Sequence, residues 1–569
     1  MLANFYSQNL YVYERKPSII GILQLCVNAS RGSGLGLVLK LFRAVGVVSA
    51  MTLLSRLLGF VRDMVIAVQF GASGQTDAFL AAFKIPNYFR RLFAEGSFAL
   101  AFVPVLARIR EQGDARELKL FIDHVTTLLL GALLAVTALG VLGAPWLLRV
   151  FTPGFVDEPD KFQSAVDMTR ITFPYLMWVS LAGLAGGILN TFERFALPAL
   201  SPVLLNLSLI VAALGLSQWL AVPVHALAWG VFAGGLLQML LVFPPLWRMG
   251  LFPRLRFGIH PGVRRVLRLM VPTLLGSSVA QVNLLVDTLV ASFLVSGSMT
   301  WLYLADRMME LPLGVFGVAL SVVILPALSR HFAAGRQGEY LKALAWAMES
   351  GLLVALPAAM GLFVLAEPIM IALFQYRNFT AGDARMAALA LQLACFGLPL
   401  YVLVKVMAPA FYAREDTRTP VRIAVWAMTV NMVLNVLFLL VLAWWRYPGE
   451  WPGWVSFWLW LQQQPGLHVA LVAAGVVSGL VNSLLLWRAL RDRLGAHALS
   501  RVFLMRLLGA TLVMGLVLWL ARGELPAFHV LPMGARLAGL AALVGLGAMV
   551  FLLVLWGTGY RWQRPSSGD

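Results

Sequence analysis

The chain has 569 residues, 60% of them hydrophobic and only 12% charged, with a mean hydropathy of +0.82. Soluble domains are about 45–50% apolar and about 25% charged, so so few charges cannot cover a water-soluble surface of this size, and the chain reads as an all-α integral membrane protein. The formal charge of +18 comes from 44 basic and 26 acidic residues. The basic residues sit in short segments between apolar runs, without a detached basic domain or a nucleic-acid motif, so nucleic acid is excluded as a partner.

Residues 1–40 contain SIIGILQLCVNAS behind Arg15 and Lys16. This apolar run of about a dozen residues is too short to cross about 30 Å of hydrocarbon, which takes about 20. It reads as an N-terminal extension in preference to a cleaved signal. Beyond it, fourteen spans are expected, at 42–70, 76–108, 121–150, 164–192, 200–219, 224–247, 266–295, 300–330, 341–365, 383–413, 421–445, 467–488, 502–521 and 536–558.

Loop charge tests the count. Loops after even-numbered spans carry Arg108, Arg110, Arg116 and Lys119, then Arg248, Arg254, Arg256, Arg264, Arg265 and Arg268, and further basic groups from Arg330 to Arg501. Loops after odd-numbered spans, such as GASGQT and SGSMT, are nearly bare of positive charge. Positive loops stay cytoplasmic, which puts both termini inside and requires an even number of spans. The expected divisions are the extension 1–40, a first lobe 41–248, a second lobe 249–493, and a closing helix pair with tail at 494–569. A short internal repeat supports two lobes. RDMVIAVQFGASG resembles VDTLVASFLVSGS, and AFVPVLAR resembles VVILPALSR, about 222–224 residues later. An even offset of six spans gives parallel repeats, with the substrate site between them.

Charge at membrane depth costs at least a few kcal/mol and usually faces a cavity. In SRLLGFVRD, Arg56 and Arg62 flank Gly59 within a sector of about 120° on a helical wheel. The second span, TDAFLAAFKIPNYFRRLFAEGSF, places Asp77, Lys84 and Arg91 seven residues apart, one polar stripe, with Pro86 and Gly96 breaking the helix. The eighth adds Asp306, Arg307 and Glu310 before Pro312. With Arg90, the set Arg56, Arg62, Lys84, Arg90, Arg91 and Arg307 makes a cationic cavity, with Asp63, Asp77, Asp306 and Glu310 as its acidic members. Arginine forks suit phosphate oxygens, so the expected ligand is a phosphate or pyrophosphate. Local pairing, Arg62 with Asp63 or Arg307 with Glu310, is the competing reading.

A second group joins Asp287 in the seventh span to Asn431 and Asn435, at i and i+4 in the eleventh. These could bind a monovalent cation or carry a proton; interhelical hydrogen bonding is the alternative. There is no GxxxxGK[ST] loop for nucleotide, no HExxH and no Cys/His zinc spacing, so neither catalysis nor a cofactor is expected.

The stretches SRLLGFVRD, TDAFLAAFKIPNYFRRLFAEGSFALAFVP, NTFERFALPALSPVLLN, LYLADRMMELPLGVFGVAL and FYAREDTRTPV resemble the MurJ (MviN) family of the multidrug/oligosaccharidyl-lipid/polysaccharide exporter superfamily. The likeness runs from about residue 41 to the C-terminus. It implies two six-helix lobes around a central cavity, plus a C-terminal pair associated with a groove for a lipid tail. It also implies a transporter moving lipid II, an undecaprenyl-pyrophosphate-linked peptidoglycan precursor, across the bacterial inner membrane. Under the resemblance the essential arginines fall on Arg56, Arg62, Arg90 and Arg307, with Asp77 as the TDAF aspartate. The implied partners are lipid II, the phospholipid bilayer and the cell-wall synthesis machinery.

The N-terminal extension and the loop PGEWPGWVSFWLWLQQQPG depart from the family pattern. Rival functions are export of another polyprenyl-pyrophosphate-linked glycan, or cation-coupled drug antiport in the same superfamily. An antiporter of cationic drugs would call for an acidic cavity.

Overall fold

The computed structural model describes residues 35–91, 97–258, 260–447, 449, 453–494, 499–524 and 528–560. Most of the N-terminal extension, residues 1–34, lies outside them, as does part of the tryptophan-rich loop. The regular secondary structure of the described residues is helical, with no strand among them.

Among the described residues, nine helices are long and apolar enough to cross a membrane: Ala115–Leu142, Pro159–Thr191, Ala196–Gln218, His225–Arg248, Gln337–Phe374, Arg418–Arg446, Val469–Arg491, Arg501–Gly523 and Met533–Gly557. A tenth candidate is the pair Ala381–Cys395 and Leu398–Tyr412, bent by 43°. Proline explains the bend. Pro399 lies in the first turn of the second helix, whose N-cap is Gly397, and a proline has no N–H with which to continue the hydrogen-bond ladder of the helix before it.

The other four expected spans are present as helical segments, but charge or interruption sets them apart. The first is the helix Leu35–Phe70, which holds Arg56, Arg62 and Asp63. The seventh is Pro261–Ala291, which holds Asp287. The second is described as Gly74–Arg90 and Ser97–Glu111. Its helix runs unbroken through Pro86 as far as Arg90, so the proline does not break it, and Gly96 lies outside the described residues. The eighth divides into Ser298–Pro312 and Val318–Ala333 around a π-helical turn, Leu313–Gly317. Such turns insert a residue into the helical ladder and are often found at functional sites.

In the first half of the sequence, Ala196–Leu214 packs against both Leu35–Phe70 and His225–Arg248. In the second half, Gln337–Phe374 is the hub, touching Ala381–Cys395, Leu398–Tyr412 and the closing pair Arg501–Glu524 and Met533–Gly557. Arg536 fixes the last helix there. Its guanidinium donates to the carbonyls of His529 (2.8 Å) and Leu531 (2.7 Å) and of Gln375 (3.0 Å), the last a favourable acceptor at the C-terminus of Gln337–Phe374. Pro261–Ala291 joins the halves: it packs on Ser97–Glu111 and also on Arg418–Arg446.

Candidate functional site

Besides the packing of Pro261–Ala291 on Ser97–Glu111, the two halves meet around the start of Gly74–Arg90 and of Ser298–Pro312. Asp77 is buried and accepts from the Gly297 N–H (2.7 Å), the Thr300 N–H (2.9 Å) and the Thr300 hydroxyl (2.7 Å). It thereby caps the N-terminus of a helix from the opposite half, where free N–H groups and the helix dipole favour a carboxylate. Gly297 has φ +100°, open only to glycine at little cost.

Beside it, the buried Lys161 ammonium donates to Glu158 (2.9 Å) and to the Ser296 hydroxyl (2.9 Å). The Gly154 N–H donates to Ser292 Oγ (3.1 Å), and Gln462 Nε2 to Asp157 (3.1 Å). These contacts close the two halves over one end of the molecule. Asp77, read from the sequence as part of one polar stripe with Lys84 and Arg91, is therefore a corrected placement. It is consumed by the seal. Seven residues of helix advance about 10 Å, so residues on one face stand at different depths and meet different partners.

Deeper between the halves, Arg62 and Arg307 share Asp63. Arg62 Nε and Nη2 lie 2.9 and 2.6 Å from Asp63 Oδ1, and Arg307 Nε lies 2.6 Å from Asp63 Oδ2. Tyr303 donates its hydroxyl to Asp63 (2.8 Å) and accepts from Arg62 Nη2 (3.0 Å). Asn206 accepts from Arg62 Nη1 (3.0 Å) and anchors its own amide on the Ser55 carbonyl (3.0 Å). Arg307 also pairs with the exposed Glu310 (2.7 Å).

Both local pairings weighed from the sequence therefore form. Arg62, Arg307, Asp63 and Glu310 carry no net charge among them, so this part of the cavity is balanced rather than cationic. Gly59 makes the arrangement possible, because a Cβ there would lie 3.0 Å from Arg307 Nη2.

The remaining basic residues differ. Arg56 is exposed, has no ion-pair partner among the described residues, and rests against Gly314 of the π turn, where a Cβ would come within 2.8 Å of its Nη1. Lys84 is half-buried and donates to Thr288 Oγ1 (3.4 Å). Arg90 donates through Nε to Asn87 Oδ1 (2.8 Å). Arg91 and Asp306 are exposed. Lys405, also exposed, stands one turn beyond Tyr401 on Leu398–Tyr412. The sequence reading passed over it, although a lone lysine in GLPLYVLVKVMAPAFY was the available signal. Asn206 and Tyr303 were missed because neutral side chains carry no charge signal.

Asp287 does meet Asn431 and Asn435. Its Oδ1 accepts from Asn431 Nδ2 (3.2 Å) and Asn435 Nδ2 (2.6 Å), and its Oδ2 from Asn283 Nδ2 (3.1 Å). Asn283, one turn earlier, is a further member that sequence reading did not single out. The side-chain oxygens of Asn431 and Asn435 are buried without a partner. In the internal repeat, Asp287 occupies the place of Asp63. Each carboxylate gathers donors, guanidinium and phenol at Asp63, amides at Asp287. Among the described residues no group of His, Cys, Asp and Glu fit for a metal ion is found.

The described residues form a helical membrane protein whose two halves close over charged groups at one end. Solved structures share that architecture. One described as lipid II flippase MurJ in an inward closed conformation matches with a TM-score of 0.72 and 23% identity, over 89% of this chain and 97% of that one. An inward-facing multidrug resistance MATE family transporter of the MOP superfamily matches with a TM-score of 0.58 and 13% identity, over 80% of this chain and 98% of that one. At these identities the likeness speaks for the fold.

The sequence speaks for the family. Residues 66–447 match the family described as lipid II flippase MurJ. Lipid II flippase MurJ of Burkholderia cenocepacia is 39% identical over 534 residues, covering 92% of this chain and 98% of its own. Probable lipid II flippase MurJ of Haemophilus influenzae is 39% identical over 518 residues, covering 88% and 96%. The chain belongs to the MurJ family.

Proposed function

We propose that this chain flips lipid II from the cytoplasmic to the periplasmic leaflet of the bacterial inner membrane, by alternating access between two lobes, with both termini in the cytoplasm. The observation that carries the reading is the arginine pair bridged by Asp63 between the halves, with Arg56, unpaired among the described residues, beside it. Holding charged groups within membrane spans costs several kcal/mol, so such groups usually line a cavity and serve a function.

In this reading the seal around Asp77 and Lys161 lies on the periplasmic side, and the head group enters from the cytoplasm. The exposed, unpaired Arg56 makes the first contact with a pyrophosphate oxygen. Arg62 and Arg307 are held ready by Asp63, Tyr303 and Asn206, so little ordering is required when the second phosphate arrives. The pyrophosphate then replaces Asp63 and Glu310 as the counter-charge to Arg307. Loosening Arg307 from Asp63 releases one tie between the halves, and the ligand drives opening by binding one state better than the other. The polyprenyl tail stays in lipid. This is transport without bond chemistry, in keeping with a flippase family.

Asp287 supports a cation-coupled reset of the empty carrier. A proton on Asp287 would satisfy one acceptor, whereas two buried amide oxygens, of Asn431 and Asn435, lack a donor. Turning either amide over sets its oxygen beside the carboxylate, an arrangement suited to a hard monovalent cation. The enzymes that make and consume lipid II are the partners such a carrier serves.

The test is complementation. In cells whose own flippase is shut off, the intact chain is expected to restore periplasmic lipid II, and Arg56→Ala or Arg62→Ala at equal abundance to fail. If the intact, inserted chain leaves lipid II inside, the substrate is another polyprenyl-linked glycan.

A further inference from the structure

We infer that the segment joining the two halves, residues 247–268, is a docking surface for anionic phospholipid headgroups. The sequence WRMGLFPRLRFGIHPGVRRVLR holds six arginines and no aspartate or glutamate. Its middle, residues 251–258, is chain without regular secondary structure between the helices His225–Arg248 and Pro261–Ala291.

The inner side of that chain is pinned. The Arg254 N–H donates to Asp123 Oδ1 (2.8 Å) and the Arg256 N–H to Thr127 Oγ1 (2.8 Å). His260 pairs with Glu117 (2.8 Å), and Leu251 is buried. With the backbone tied down, the other side chains are held outward. Arg248, Arg254, Arg264, Arg265 and Arg268 are all exposed. Among the described residues the buried Asp123 is the acid that answers this segment's guanidinium groups, and it takes Arg256 (3.5 Å).

Between the arginines stand large apolar side chains that are exposed among the described residues. Trp247 is 73% exposed, Leu255 65% and Phe257 89%, with Phe252 and Leu267 each at 45%. Arginines needed only to orient the chain in the membrane would not require a pinned backbone or interleaved aromatic groups. Basic and aromatic residues together match the headgroup boundary, where rings enter the acyl layer and guanidinium groups meet phosphate. Anionic lipids enriched on the cytoplasmic side supply the complementary charge.

The inference rests on the cytoplasmic placement of this segment given above, so that placement is read separately. Native mass spectrometry of the full-length protein in detergent, titrated with phosphatidylglycerol or phosphatidylcholine, is the direct test. Phosphatidylglycerol is expected to be retained preferentially. Two variants, Arg264→Gln/Arg265→Gln/Arg268→Gln and the charge-preserving Phe252→Ser/Phe257→Ser, are each expected to lose most of that preference. Equal retention of the two lipids, or unchanged retention in both variants, overturns the inference. Inorganic phosphate is the competitor; if it displaces the lipid while the phenylalanine variant binds normally, the site is one for free phosphate, and the inference also fails. Leu255→Cys, in a background lacking Cys26 and Cys395, is expected to resist an impermeant thiol reagent in intact cells. Labelling from outside would remove the cytoplasmic leaflet from the account, whatever the lipid titration gives.

Discussion

Asp63 and Arg307 come from opposite halves of the sequence and meet at 2.6 Å. Asp63 is fully enclosed while also binding Arg62, so one carboxylate holds two guanidinium groups together. Removing one member of a buried charge pair typically costs about 3–5 kcal/mol, because its partners stay behind uncompensated. Asp63→Asn should therefore lower the thermal midpoint of the purified protein and reduce lipid II transport strongly. The double variant Asp63→Asn/Arg307→Gln should be more stable than the two single losses summed. Strict additivity of the losses would contradict a coupled pair.

Gly314 offers a substitution that disturbs Arg56 without touching it. A Cβ at Gly314 would lie 2.8 Å from Arg56 Nη1. Gly314→Ala should displace the guanidinium and weaken lipid II binding several-fold. Alanine within helical structure is itself no burden, so membrane abundance should hold. Titration of binding against abundance checks this; a loss of abundance alone would count against a ligand role for Arg56's seat.

Asp77 holds the seal through a helix N-terminus. A capping side chain contributes about 0.5–2 kcal/mol, and Asp77→Ala also strands the buried N–H groups of Gly297 and Thr300. The population should shift toward the state open on the sealed side. Ser296→Cys should then react faster with an impermeant thiol reagent in the Asp77→Ala background than in the otherwise intact chain.

The Asp287 group predicts cation-dependent stability. Replacing choline by sodium at constant ionic strength should raise the thermal midpoint of the intact protein. The rise should vanish in Asp287→Asn and shrink in Asn435→Leu. An equal response in all three would leave Asp287 with hydrogen bonding alone.

Much of this organisation was legible before the fold was known, for identifiable reasons. Long apolar runs and the loop arginines marked the spans, and charge at membrane depth marked Arg56, Arg62, Asp63, Arg307 and Asp287. The repeat aligned Asp63 with Asp287, and Asn431 and Asn435 were found from their i, i+4 spacing. What escaped the sequence was partnership across the halves. Asp77 looked like a cavity residue until Gly297 and Thr300 were seen beneath it, because a capping role depends on a helix start 220 residues away. Asn206 and Tyr303 orient the arginines through neutral groups that no hydropathy scan singles out. The space left by Gly59 is taken by Arg307, a partner from the other half that the sequence around Gly59 does not indicate.

The seal also supplies the most direct test of transport by alternating access. A Cβ at Gly74 would lie 3.6 Å from Ser296 Cβ, within the range of about 3.5–4.5 Å that a disulfide requires. In cells depending on Gly74→Cys/Ser296→Cys for lipid II transport, oxidation should stop the appearance of periplasmic lipid II, and reduction should restore it. Each single cysteine variant should transport under both conditions. If the cross-linked protein, with its disulfide verified, still moved lipid II at the reduced rate, the two halves would not need to part at this seal, and alternating access through it would be wrong.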